Sequence, residues 1–170
     1  LLRGLESNGH TVRRITRTGP ERGGPIAWSL PSDDLDAVVH LAGEPIVGRW
    51  TKTKKKQIRD SRVEGTRLLC EAIQSRQLKL RVLIAASAVG FYGDRRDEWL
   101  DEGSGAGCGF LADTCVAWEQ ATRPAVDRDV RVVNLRIGLV LSPAGGALQK
   151  MLPVFRLGLA GVLGDGRQWW

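Results

Sequence analysis

The chain is predicted to be α/β, a doubly wound parallel sheet in three α/β/α layers. Two short apolar runs end in small residues: Val38, Val39, His40, Leu41, Ala42, Gly43, and later Arg81, Val82, Leu83, Ile84, Ala85, Ala86, Ser87. A basic stretch with helical patterning lies between them, so the order is strand, helix, strand. The second run is apolar at nearly every position, as a central strand covered on both faces must be. Ligands of open sheets sit beyond the carboxyl ends of the strands, which points to residues 42–44 and 87–93.

The elements follow in chain order. Leu1, Leu2 and Leu5 mark an amphipathic helix that Asn8 and Gly9 stop, Gly9 suiting the left-handed position after a helix. Residues 12–17 read as a strand with Val12 and Ile15 apolar, and the Gly- and Pro-rich residues 18–25 as a loop. A short edge strand is expected around 25–28. Between Thr53 and Ser75 the period changes: Val63, Thr66, Cys70 and Ile73 share one helical face, with Arg62, Glu64, Arg67 and Glu71 elsewhere. Residues 94–109 are polar and Gly-rich, hence loop. Leu111, Cys115, Trp118 and Thr122 step at helical spacing, residues 130–137 read as a strand, and Gly145 and Gly146 open a last helix to about Leu157. Gly158, Gly161, Gly164 and Gly166 then mark a turn-rich segment. The alternation of helices and strands is what a parallel sheet with helical crossovers requires.

Composition narrows the function classes. The chain has 170 residues and is 42% apolar, enough for the core of one domain. No apolar run is long enough to span a bilayer and no signal segment is seen, so a cytoplasmic location is expected. Cys70, Cys108 and Cys115 lack metal-type spacing and read as free thiols, and with only His10 and His40 a histidine metal site has little material. No metal is expected. The net charge of +6 is concentrated in Arg49, Lys52, Lys54, Lys55, Lys56, Arg59 and Arg62. Without interleaved aromatics for base stacking, that run reads as a solvated helix start, and no nucleic-acid partner is expected.

Four segments carry a family resemblance. They are Val39 to Gly43; the run Ser61, Arg62, Val63, Glu64, Gly65, Thr66, Arg67; the run Ser87, Ala88, Val89, Gly90, Phe91, Tyr92, Gly93; and Leu135, Arg136, Ile137, Gly138 with the Gly-rich tail to Trp170. Together they resemble the extended short-chain dehydrogenase/reductase superfamily, and within it the atypical epimerase-family group of NAD(P)-dependent epimerase/dehydratase-like proteins. The resemblance implies a Rossmann-like fold whose first strand and Gly-rich phosphate loop would precede Leu1. It further implies a partial dinucleotide-binding domain over 1–145 and the start of a substrate-binding region over 146–170. Both ends are expected to be truncated, and the chain on its own to aggregate through uncovered strand edges.

The resemblance also implies site residues. Leu41, Ala42, Gly43, Glu44, Arg62 and Ala86 would line the cofactor. Residues 12–17 would end beside the adenosine 2′ position, where an acid favours NAD and an arginine accommodates the 2′-phosphate. Arg17 stands there with no acid until Glu21, so NADP(H) is favoured over NAD(H). Family members use a Ser, Tyr, Lys set in which Tyr is the acid/base. Ser87 fits the Ser position. The Tyr-x-x-x-Lys pair is missing: its slots fall on Leu111 and Cys115, or on Phe110 and Thr114 in the neighbouring register. Tyr92, the one tyrosine in the chain, reads either as a substitute acid or as an aromatic plug at the strand-end turn. His40 reads as packing, and Arg136 as an ion-pair partner. Three function classes follow: an NADP(H)-dependent oxidoreductase or epimerase-like enzyme on a small molecule, a non-catalytic dinucleotide-binding redox sensor, and a basic nucleic-acid module. A homodimer is left open.

Overall fold

A computed structural model describes residues 1–18, 27–76, 79–127, 130–162 and 166; the side chains of Arg17, Thr18 and Ala27 lie outside that description. Its elements are α1 (Leu2–Ser7), β1 (Thr16–Thr18), β2 (Ala27–Ser29), β3 (Leu35–His40), α2 (Lys52–Ser75), β4 (Leu80–Ala88), α3 (Phe110–Gln120), α4 (Arg123–Val126), β5 (Arg131–Ile137) and α5 (Gly146–Arg156). A 3₁₀ turn, Val89–Tyr92, follows β4 directly. Two compact units form, one from Leu1–Ala86 with Ala117–Asn134, the other from Ser87–Val116 with Leu135–Trp170.

In the first unit β3 pairs parallel with β4, from Leu35 opposite Leu80 to His40 opposite Ala85, and β5 lies on the other side of β4. This is the predicted βαβ arrangement, with α2 as the crossover. Thr51 caps α2, its hydroxyl oxygen accepting the Lys54 amide at 3.1 Å. Ile58, Gly65, Thr66, Leu69, Cys70 and Ile73 form the buried stripe of the helix. Leu69, Cys70 and Ile73 meet Val38 of β3, Leu80 and Leu83 of β4, and Ala125 of α4, which makes the core of this unit. Fully burying a Leu or Ile stabilises by about 1.5–3 kcal/mol, so this stripe holds α2 against the sheet.

Three expectations need correction. Residues 12–17 do not join the parallel sheet. Only Thr16–Thr18 are strand, and they pair antiparallel with β2 in a separate two-stranded ribbon. Val12 and Ile15 are too few apolar residues for a strand covered on both faces, and Arg13 instead pairs with Asp33 at 2.6 Å. The strand expected over 38–43 starts earlier and stops at His40, so Leu41, Ala42 and Gly43 fall beyond it. On α3 it is Ala112, with Thr114, Cys115 and Trp118, that is buried, whereas Leu111 is exposed. Most of the loop expected over 18–25, and most of the turn-rich segment expected toward Trp170, fall on residues 19–26, 163–165 and 167–170, which lie outside the described residues. Among the described residues no helix is long and apolar enough to cross a membrane.

Candidate functional site

The first unit carries a short exposed strip where β3 ends. Leu41, Ala42 and Gly43 are exposed and Glu44 is half-buried. The N-terminal half of α2 holds this strip from beneath. The Glu44 amide donates to Ser61 Oγ at 2.9 Å, and Lys54 Nζ sits 2.6 Å from Glu44 Oε1. Arg62 Nη1 donates to the Glu44 carbonyl at 3.0 Å and to the Ile58 carbonyl at 3.1 Å. The guanidinium also lies over the Trp118 ring, 5.1 Å from its centroid. Lys54, Ile58, Ser61 and Arg62 are spaced i, i+4, i+7, i+8, which places them on one helix face.

Beneath the strip is a buried polar chain. Trp118 Nε1 donates to Thr66 Oγ1 at 2.9 Å, and Thr66 Oγ1 lies 3.0 Å from His40 Nε2. Indole can only donate, so Thr66 Oγ1 accepts from Trp118, and the direction of its bond to His40 goes with the imidazole tautomer. The Trp28 ring meets His40 edge-on at 5.3 Å, and its indole N–H donates to the Gly65 carbonyl at 2.8 Å. Burial pushes the His40 imidazole down to about 4 from 6.5, so it is neutral at physiological pH. The expectation that His40 packs and does not titrate chemistry fits this position.

The second unit carries the turn after β4. Ser87 is buried at the strand end. Tyr92 is also buried; its hydroxyl donates to the Asp101 carbonyl at 2.9 Å and accepts from Arg136 Nη1 at 3.0 Å. Arg136 lies flat over Phe91, 3.5 Å from the ring centroid, and reaches the Glu102 carbonyl at 3.4 Å. Where the sequence suggested an ion-pair partner, the structure shows Arg136 as a cation stacked on two rings that donates to two oxygens. Gly107 closes the turn, its amide donating to the Phe91 carbonyl at 2.9 Å. A Cβ at Gly107 would stand 2.1 Å from the Tyr92 carbonyl oxygen, so only glycine fits.

The two slots where a Tyr and a Lys were sought do come together. Leu111 and Cys115 both face Gly90: a Cβ there would lie 3.5 Å from Leu111 Cβ and 4.0 Å from Cys115 Sγ. In the alternative register Thr114 is occupied within its own helix, donating to the Phe110 carbonyl at 2.6 Å. Of the other predicted residues, Ala86 is buried in β4 next to Ala85, which faces His40 across the ladder. The Arg17 backbone pairs with Trp28 in the β1–β2 ribbon, and its side chain lies outside the described residues. Lys54, Ser61, Thr66 and Trp118 were not anticipated as site residues. The i, i+4, i+7, i+8 spacing of Lys54, Ile58, Ser61 and Arg62 was the one signal available for two of them, Lys54 and Ser61.

A parallel βαβ core with an exposed strip at the carboxyl end of a strand is the arrangement in which open α/β proteins hold their ligands. Residues 26–170 match the family model described as NAD dependent epimerase/dehydratase family, and the chain belongs to that family. It is 44% identical to the epimerase family protein Mb2239 of Mycobacterium bovis, over 99% of this chain and 58% of the relative. The crystal structure of human epimerase family protein SDR39U1 with NADPH superposes with a TM-score of 0.81 at 31% identity, over 99% of this chain and 59% of that one. The structure titled nucleoside-diphosphate sugar epimerase from Corynebacterium glutamicum superposes with a TM-score of 0.67 at 43% identity, over 79% of this chain and 28% of that one. The chain therefore spans a little over half the length of the curated relatives it matches.

Proposed function

We propose that this chain is the dinucleotide-holding part of an NADP(H)-dependent oxidoreductase or epimerase of the extended short-chain type, acting on a small molecule. The observation that carries the reading is the likeness, over 99% of the chain, to a human relative whose structure is titled with NADPH. The residues fit such a group. The strip Leu41–Ala42–Gly43 is exposed at the carboxyl end of β3, Ala86 lies two residues before the end of the neighbouring strand, and the Arg62 cation lies against Gly43. The nicotinamide, when bound, supplies or accepts the hydride. Arg17 is the basis for preferring the 2′-phosphorylated form, and residues 146–170 would begin the substrate-binding region.

On this reading Ser87 orients the substrate oxygen. Tyr92 is a poor proton donor as it stands, since its hydroxyl proton is given to the Asp101 carbonyl. To act it must exchange that bond for one to substrate, with Arg136 stabilising the phenolate left behind. The second reading, a dinucleotide-binding redox sensor without catalysis, is supported by the sequence register: neither Leu111 with Cys115, which lie against Gly90, nor Phe110 with Thr114 restores the Tyr and Lys pair.

Titration calorimetry of the full-length protein with NADPH and NADH tests the reading. Tighter NADPH binding is expected; tighter NADH binding overturns the Arg17 argument, and binding of neither overturns both dinucleotide readings. NADPH consumption across small carbonyls and quinones then separates the enzyme from the sensor.

A further inference from the structure

Gly43 sits at a place where glycine is usually explained by ligand approach or by backbone strain. Backbone strain does not apply, because Gly43 is absent from the positive-φ glycines of the described residues. Its surroundings give another reason. A Cβ at 43 would lie 3.1 Å from Arg62 Cζ and 3.3 Å from each of Nη1 and Nη2. The side of Gly43 that a side chain would fill is taken by a guanidinium. That guanidinium is itself fixed: Nη1 spans the carbonyls of Glu44 and Ile58, and its carbon lies over Trp118. Trp118 is fixed in turn by its bond to the buried Thr66 hydroxyl.

We propose that Arg62 is a positioning residue for dinucleotide binding. It acts through the backbone of Gly43 and Glu44, setting the path of the exposed strip, and it is not a phosphate ligand. Gly43 is glycine because it accommodates Arg62. This inference rests on the dinucleotide reading above. It has a physical signature that direct binding of the 2′-phosphate lacks. A residue that holds the 2′-phosphate discriminates NADPH from NADH; one that holds the strip weakens both alike. If Gly43 and Arg62 are one device, their substitutions must also be non-additive.

The test is a double-mutant cycle on the full-length protein, Arg62→Ala, Gly43→Ala and both together, with affinities for NADPH and NADH measured by fluorescence titration. Losing the charged donor to two carbonyls is expected to weaken each nucleotide about tenfold, by the same factor. Gly43→Ala should weaken both as well. The double variant should bind no worse than the weaker single one, since removing the guanidinium makes room for the new methyl. Arg62→Gln serves as a second variant if Arg62→Ala folds poorly, and should fall between wild type and Arg62→Ala. Amide exchange of the nucleotide-free protein adds a structural readout: Gly43 and Glu44 should exchange faster in Arg62→Ala. A loss confined to NADPH overturns the inference in favour of a phosphate ligand. Additive losses, or unchanged affinities, overturn it while leaving the dinucleotide reading standing. Wild-type protein that binds neither nucleotide overturns both.

Discussion

Neutral His40 at the foot of the strip makes stability depend on pH in a definite window. The imidazole is 3% exposed and held near a pKa of about 4, against 6.5 when solvated. The folded value is depressed, so between these two values the unfolded chain binds a proton that the folded chain refuses. Stability is then complete above about pH 7 and falls as pH drops through 6.5, levelling off below about 4. The full interval is worth about 3 kcal/mol, of which about 2 kcal/mol is lost between about pH 7 and pH 5. Marginal stabilities of about 5–15 kcal/mol make that a large fraction. The assay is urea unfolding at the two pH values, on wild type and on His40→Asn. His40→Asn is expected to be less stable near neutrality, because its shorter amide does not reach Thr66 as the imidazole does. Its difference between the two pH values should nevertheless shrink by most of the 2 kcal/mol. Other groups do not supply this window: Asp33 and Glu64 have carboxyls held below their ordinary values by Arg13 and Arg67, so their contribution falls away only at lower pH. A His40 ring signal titrating near 6.5 in the folded protein, or a variant that keeps the whole pH dependence, refutes the reasoning.

Gly107→Ala should destabilise by about 1–3 kcal/mol, because the methyl meets the Tyr92 carbonyl, a backbone atom that cannot swing aside; a thermal melt lower by several degrees checks it. Arg136→Ala should cost about 1–2 kcal/mol by removing the stack on Phe91 and leaving the Tyr92 hydroxyl without its donor, and Arg136→Lys should recover only part, since an ammonium cannot lie flat on the ring while donating to two oxygens; denaturant titration separates the three proteins. Ellman's reagent should label Cys108 promptly in the native protein and leave Cys70 untouched until it unfolds, because Cys108 is exposed while burial pushes the Cys70 thiol up to about 12.

The parallel pair and its crossover helix were legible because they rest on local pattern: Leu83 and its neighbours form an unbroken apolar run, and Thr66, Cys70 and Ile73 recur at helical spacing. The strand ends were legible only to within a few residues. The apolar run from Val38 continues through Leu41 and Ala42, but the ladder with β4 stops at His40, and nothing in side-chain chemistry marks where a partner strand runs out. Residues 12–17 failed for a different reason. Two apolar residues among arginines and threonines satisfy a strand pattern without saying which partner will pair. The partner turned out to be β2, and pairing strands so close in sequence costs little entropy.

The candidate site was legible in its place and not in its wiring. The strip after β3 and the turn after β4 follow from the order of elements alone. The bonds that give their residues roles join positions far apart in the chain: Thr66 to Trp118, Glu44 to Arg62, Tyr92 to Arg136. Tyr92 shows what this changes. Taken from the sequence, it is a phenol with no cation beside it. In the fold Arg136, 44 positions away, donates to its oxygen, while its proton goes to Asp101. One contact favours the phenolate and the other keeps the proton at home, so the residue is held between a structural and a chemical role. Leu111 and Cys115 weigh on the same balance. Among the described residues a leucine and a thiol lie against Gly90, so on the proposed reading the proton donor is sought in Ser87 or Tyr92. The hydrogen-bond partners of Tyr92 are therefore where enzyme and sensor part. A sensor keeps the Asp101 bond in every state, whereas an enzyme that uses this phenol must break it in each turnover.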